Sequence, residues 1–461
     1  MSLDKFFNPK SVAVIGASRT PGKLGYTILE NLKLSFNGKI YPINPNAGEI
    51  LGLITYPSLL DIKDPIDLAI IVVPSEIVKD IVMDCSKKKI TNIIIISSGF
   101  SEIGEKEREL ELKKLSESKK IRIIGPNCIG IYKKDLDMIF FPKNRLKRPP
   151  EGSISFITQS GAFGSILLDM MANDGVGISK FISIGNKIDV DEIELMKYFE
   201  TDLSTRCIAI YLESISNGEE FIKVAKKVTA IKPIVCFKAG KTEKGTEAVA
   251  SHTGSLAGSS AVYSAAFKQA GIIEAKSSEE IFDFAKVLAN QTILKDNKIA
   301  IVTDGGGFGI VATDTAIQLG MELPSLSNES IKALKSFLPS YASTKNPIDL
   351  TGDATVERYQ KALEIVLKDK NISGIACIAL MQIPTLTDDI VTVLRDCKVF
   401  GKPITVCSAG GQYVLERNRK LEAFGIPVYP TPERAVKALA ALYEYGKVLK
   451  REEPQKVEKK K

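Results

Sequence analysis

The chain of 461 residues has no tryptophan, a single histidine, and seven cysteines scattered one at a time. One histidine argues against a histidine-built metal centre, and the absence of any Cys-x-x-Cys pair suggests neither a zinc site nor a disulfide framework. No apolar run approaches the ~20 residues that a bilayer-spanning helix needs. The opening, MSLDKFFNPKSVAVIGAS, lacks the basic-then-apolar layout of a signal peptide. A cytoplasmic protein with no membrane partner is therefore expected. The formal charge of +7 suits anionic small molecules, but no nucleic-acid motif accompanies it.

What is present is a rhythm of short β-branched runs alternating with stretches of helical period. SVAVIGA (11–17), KIYPIN (39–44), DLAIIVV (67–73), NIIIIS (92–97) and IRIIG (121–125) read as five buried parallel strands. Continuous apolar strands of this kind belong to sheets covered by helices on both faces. A Rossmann-like α/β domain is expected over 1–146, with the Pro-rich, basic segment 143–152 as the linker after it.

The rest of the chain repeats itself. Thr-Gln-Ser-Gly-Ala-Phe-Gly at 158–164 recurs as Thr-Asp-Gly-Gly-Gly-Phe-Gly at 303–309. Asn-Lys-Ile-Asp (186–189) answers Asn-Pro-Ile-Asp (346–349), and Lys-Pro-Ile with a following Ala-Gly occurs at 232–240 and 402–410. Because these landmarks keep their order, 147–292 and 293–448 are expected to be two flavodoxin-like parallel α/β domains, followed by a charged tail over 449–461. The copies differ in one place. From Gly240 to the Gly-Ile at 271 is 31 positions, against 15 from Gly410 to the Gly-Ile at 425. The added segment contains His252, in the run Ala-Ser-His-Thr-Gly-Ser-Leu-Ala-Gly-Ser.

Three glycine turns between a strand and a helix are candidate anion sites, because backbone N–H groups at a helix start point toward a bound phosphate. In the first, Gly16-Ala-Ser18-Arg19-Thr-Pro-Gly22-Lys23, the side chains of Arg19 and Lys23 can neutralise phosphates. It is not a P-loop, since five residues separate Gly16 from Gly22 and Leu24 stands where magnesium needs Ser or Thr. Nor does it suit NAD, since Asn44-Pro45-Asn46 lacks the ribose-binding carboxylate. Ser160-Gly161-Ala162 and Gly305-Gly306-Gly307 are the other two, expected to hold one phosphate between the copies. An imidazole is a competent nucleophile toward an acyl phosphate, and a carboxylate commonly fixes its tautomer. Glu213, at a strand's C-terminal end, is the candidate for that role.

Together the Ser-His252-Thr-Gly loop, the Gly-Pro-Asn-Cys-Ile-Gly segment at 125–130, the Gln-Ser-Gly turn and the Gly16-Ala-Ser turn resemble the nucleoside-diphosphate-forming acyl-CoA synthetases, which include succinyl-CoA synthetase. The resemblance covers about 1–448, and the three-domain order is similar to the α subunit of archaeal ADP-forming, acetate-using members. It implies coenzyme A beside Gly16, Ser18, Arg19, Asn44, Val73, Pro74, Ser97, Ser98, Asn127 and Cys128. It also implies a phosphohistidine at His252 supported by Glu213. Acetyl-CoA and inorganic phosphate are then substrates. No segment resembles an ATP-grasp module, so Mg-ADP or ATP is expected on a separate β subunit, in an α2β2 heterotetramer. Related acyl groups (succinyl, branched or aromatic) remain open. A non-catalytic acyl-CoA sensor is the rival from another class, but a sensor has no need of His252.

Overall fold

The structure, a computed structural model, describes residues 2–247 and 259–452. The chain divides into two compact units. The first comprises 1–172, 177–228 and 236–270; the second comprises 173–176, 229–235 and 271–461.

The first unit opens with strands β1 (Ser11–Ile15), β2 (Lys39–Ile43), β3 (Leu68–Ile71), β4 (Asn92–Ile95) and β5 (Arg122–Ile124). They form one sheet in the order β2-β1-β3-β4-β5, with every neighbouring pair parallel. All five strands expected from the apolar runs are present. Their residues are almost entirely buried, as continuous Val/Ile runs require when helices cover both faces. The order reverses between β1 and β3, which places a crevice at the C-terminal ends of those strands.

After Gly130 the chain leaves this sheet. Strands β6 (Ile131–Lys133) and β7 (Leu136–Asp137) form a hairpin. Within this unit they extend a second sheet that includes β8 (Glu151–Thr158), β9 (Ile178–Ser183), β10 (Cys207–Leu212) and β11 (Ile234–Lys238), in the order β11-β10-β8-β9-β6-β7. The join is antiparallel, Phe181 opposite Tyr132 and Ile182 opposite Ile131. The hairpin thus lies within the span expected of the first domain and yet edges the second sheet. Buried Asp137 fixes it, accepting from Arg148 Nε at 2.9 Å.

The second unit holds β12 (Ile299–Thr303), β13 (Ile348–Asp349), β14 (Gly374–Ile378), β15 (Ile404–Cys407) and β16 (Val428–Tyr429), all parallel in the order β13-β12-β14-β15-β16. Here and in the second sheet of the first unit the first strand lies between the second and the third, and the fourth lies beyond the third. That shared order is the flavodoxin-like repeat. Local detail follows it too. The Thr158 hydroxyl donates to Ser160 O at 2.7 Å, and Thr303 donates to Gly305 O at 3.0 Å. Among the described residues, no helix is long and apolar enough to cross a membrane.

Candidate active site

The turn after β1 is shaped by close backbone packing. Gly16 has φ +92°, and a Cβ there would lie 2.2 Å from the Val72 carbonyl oxygen. A Cβ on Gly25 would lie 2.0 Å from the Gly16 oxygen, so only glycine lets helix Leu24–Ser35 seat on the turn. That helix has no acidic residue in its first turn, which leaves its N-terminal end electropositive. Arg19 and Lys23 are exposed beside it. Ser18 Oγ accepts from Thr20 N at 3.1 Å. Asn44 donates to Ala17 O at 2.7 Å and accepts from Asn46 N at 2.8 Å, so its amide holds the turn in shape.

Next to this turn lies a cavity of about 620 Å³. Nine of the residues proposed from sequence line it: Val73, Pro74, Ser97, Ser98, Asn127, Cys128, Ser160, Gly161 and Ala162. Gly16, Ser18, Arg19, Lys23 and Asn44 are not among the lining residues. The wall is built by strand ends. Ser97 Oγ donates to Val73 O at 2.5 Å, tying the C-terminal ends of β3 and β4 together. Asn127 adopts φ +58° and donates to Asn186 Oδ1 at 3.2 Å. Asn186 in turn donates to Glu102 at 2.7 Å and to Glu109 at 2.8 Å. The repeat landmark Asn-Lys-Ile-Asp therefore braces the cavity wall in the first copy. Burial pushes the Cys128 thiol up to about 12, so it stays protonated at neutral pH and is not a nucleophile.

Sequence reading missed several lining residues, including Phe140, Phe141 and Gln159. The Phe-Phe pair just ahead of the basic linker was the available signal. Buried Asn31 holds that segment, donating to Ile139 O at 2.7 Å and Phe141 O at 3.1 Å.

Ser160 caps helix Gly161–Asp174, accepting from Phe163 N at 3.3 Å. This helix too has no acidic residue in its first turn. Its N-terminal end lines the same cavity as the strand ends that carry Val73, Ser97 and Asn127. Gln159 reaches the other way. Its Oε1 accepts from the backbone N–H of Glu213 at 2.6 Å and of Ser214 at 3.0 Å. Its Nε2 donates to Ser214 O at 2.8 Å. Lys187 Nζ donates to the same Ser214 carbonyl at 2.7 Å and lies 3.0 Å from both oxygens of buried Glu192. Glu213, 5% exposed, is thus locked by its backbone one residue beyond β10. It does not line the cavity itself.

The second unit reproduces this turn with different side chains. Gly305 caps helix Gly306–Gln318, whose first turn is free of acids. Asp304 occupies the place of Gln159 and accepts from Leu380 N, 3.1 Å to each oxygen. Gly307 is open, whereas a Cβ on Gly306 would sit 3.2 Å from Asp349 Oδ2. His252 lies outside the described residues, which bracket its segment from Glu247 to Ser259.

A Rossmann-like sheet and a flavodoxin-like sheet sharing one cavity, with a second flavodoxin-like copy after them, define a CoA-ligase architecture. Three family descriptions match in that order. They are a CoA binding domain over residues 10–134, a succinyl-CoA ligase-like flavodoxin domain over 151–288, and a ligase-CoA domain over 299–451. The chain is 41% identical to the α subunit of acetate–CoA ligase [ADP-forming] I of Pyrococcus furiosus, over 97% of this chain and 98% of that one. It is 40% identical to the dinucleotide-forming acetyl-coenzyme A synthetase 1 of Ca. Korarchaeum cryptofilum, solved in complex with phosphate and ADP. That match has a TM-score of 0.91 and covers 98% of this chain and 99% of that one. The chain belongs to the nucleoside-diphosphate-forming acyl-CoA synthetase family. It spans only 64% and 62% of the acetate–CoA ligases [ADP-forming] of Archaeoglobus fulgidus and Methanocaldococcus jannaschii, at 41% and 44% identity.

Proposed function

We propose that this chain is the α subunit of a cytoplasmic ADP-forming acetate–CoA ligase, converting acetyl-CoA, ADP and phosphate to acetate, ATP and CoA. The observation that carries the reading is the cavity that joins Val73-Pro74, Ser97-Ser98 and Asn127-Cys128 to the helix start at Ser160-Gly161-Ala162. The first set suits the coenzyme and its thioester, and the second suits phosphate. Gly16, Ser18, Arg19, Lys23 and Asn44 form the neighbouring turn, where the exposed cations would meet the coenzyme's own phosphates.

A phosphate oxygen attacks the thioester carbonyl carbon. The carbon–sulfur bond breaks and CoA leaves as thiolate, taking up the proton that the phosphate gives up. A ring nitrogen of His252 then attacks phosphorus in the acetyl phosphate, and acetate leaves with the bridging oxygen. Glu213 orients the imidazole. Gly305-Gly306-Gly307 offers a second helix start for phosphoryl oxygens. Positioning and fixed dipoles supply most of the catalysis, as is general for phosphoryl transfer. Mg-ADP, on an ATP-grasp β subunit in an α2β2 complex, finally accepts the phosphoryl group. The relatives at 40–44% identity are acetate–CoA ligases [ADP-forming], which supports acetate as the acyl group.

The test is release of CoA thiol from acetyl-CoA. It is expected to require inorganic phosphate and to stop near one equivalent per chain when ADP and the partner are withheld. Thiol release that proceeds equally without phosphate would refute the reading.

A further inference from the structure

Apolar surface left open to a cavity marks where the apolar part of a ligand goes, because covering it releases water that gains little there. Phe140 and Phe141 present such surface. Both line the cavity of the first unit, both are half-buried, and neither stands in a helix or strand. Their ring centroids are 4.7 Å apart and the rings are tilted by 36°. Buried side chains pin the backbone that carries them. The Phe141 carbonyl accepts from Asn31 Nδ2 at 3.1 Å and from Arg148 Nη2 at 2.8 Å, and the Ile139 carbonyl accepts from Asn31 at 2.7 Å. Asp137 holds Arg148 in turn, and its Oδ1 accepts from Ile139 N at 3.2 Å. The aromatic pair is therefore a fixed wall.

Close contacts say which end of the cavity it walls. A Cβ on Gly161 would lie 2.7 Å from Ile129 Cγ2, so Ile129 abuts the helix start at Ser160-Gly161-Ala162. A Cβ on Gly130 would lie 2.4 Å from Met138 O and 3.4 Å from Ile139 Cα, so the chain leading into Phe140 runs against the residue next to Ile129. This places the pair toward the end where phosphate would attack the thioester. The coenzyme's own phosphates belong to the Gly16 turn, outside the lining, and its amide-bearing arm to Ser97, Ser98 and Asn127. The apolar group left to cover the two rings is the acyl group.

We propose that Phe140 and Phe141 are specificity-determining residues, their rings closing the acyl end of the cavity so that an acetyl group fits and an aryl-bearing acyl group does not. The role rests on the acetyl-CoA reading above and names the side chains that choose the acyl group. A hydrophobic wall sorts ligands by size, by roughly 10–200-fold per methylene.

The test is phosphate-dependent release of CoA thiol by the full chain from acetyl-CoA and from 3-phenylpropionyl-CoA, both saturated thioesters. The quantity compared is the second-order rate constant for the first equivalent released. Wild type is expected to prefer acetyl-CoA by about 100-fold or more. Phe140→Ala and Phe141→Ala, singly and together, should raise the constant for 3-phenylpropionyl-CoA about tenfold or more, while that for acetyl-CoA falls by no more than about threefold. Free CoA lacks the acyl group, so its affinity as a competitor should stay at the wild-type value. Phe140→Leu and Phe141→Leu keep an apolar wall and should give a smaller gain in the same direction. Unchanged selectivity in all variants, or a loss of CoA affinity in the Leu as well as the Ala variants, would overturn this role and leave the acetate–CoA ligase reading standing. So would a wild type that cleaves both thioesters equally fast. A wild type with no phosphate-dependent release from either thioester would overturn both.

Discussion

Replacing Ala162 with aspartate is expected to leave the first unit at least as stable as before and to cut phosphate-dependent cleavage of acetyl-CoA by about 100-fold or more. Ala162 is exposed, lines the cavity, and lies in the first turn of helix Gly161–Asp174. A carboxylate there meets the positive end of the helix dipole, which is worth about 0.3–1 kcal/mol of stability. The same carboxylate would stand next to a bound phosphate. At an effective dielectric of about 20, two unit charges about 4 Å apart repel by about 4 kcal/mol. Since each 1.36 kcal/mol is tenfold in rate, the loss reaches two to three orders of magnitude. Stability and activity should therefore move in opposite directions, which a packing defect cannot produce. Ala162→Asn, of similar size without the charge, should keep most of the activity. An aspartate variant within a factor of two of wild type would mean that phosphate binds elsewhere.

The second large effect concerns the other copy of the turn. Burial raises the Asp304 carboxyl from its ordinary value of 3.8 to about 6. The folded state therefore holds this proton through a range in which the unfolded chain has released it. Stability from this group is fully present below about pH 4 and is lost as pH rises through about 6. A shift of about two units corresponds to about 3 kcal/mol at neutral pH. Asp304→Asn keeps an oxygen to accept the Leu380 N–H and removes the ionisation. The variant is expected to match wild type in urea unfolding near pH 4 and to exceed it by about 3 kcal/mol at pH 7.5. Gln159, at the corresponding place in the first copy, already does the same job with a neutral amide. A stability difference that stays constant with pH would contradict this account.

Much of the architecture was legible because it follows from local chemistry. The five apolar runs of the first sheet could only be buried parallel strands, and the repeated Thr-x-x-Gly landmarks located the two related sheets. The path of residues 131–137 was not legible. Short strands such as Ile131–Lys133 carry too little periodicity to say which of two neighbouring sheets they join. The cavity was half-readable. Val73-Pro74, Ser97-Ser98 and Asn127-Cys128 were implied by the family resemblance, and the structure puts them just after strand ends, where a doubly wound sheet places its ligands. Phe140, Phe141 and Gln159 reach it through tertiary contacts that no spacing encodes. Asn44 was implied beside coenzyme A by the family resemblance alone; what spacing could not tell is that its amide also shapes the turn. Gln159 and Asp304 were aligned from sequence as variable positions. Only the hydrogen bonds to the next strand end showed that they share one task, and that the second copy performs it with an acid.

In the proposed mechanism, acetyl-CoA and phosphate load a phosphoryl group onto His252. Incubation with acetyl-CoA and labelled phosphate, without ADP, followed by alkaline peptide mapping, tests it directly. The label is expected to be stable to base and labile to acid, to depend on acetyl-CoA, and to reside in the peptide containing His252. It should be absent from His252→Ala. Label that persists in that variant, or that maps to any other peptide, would contradict the account.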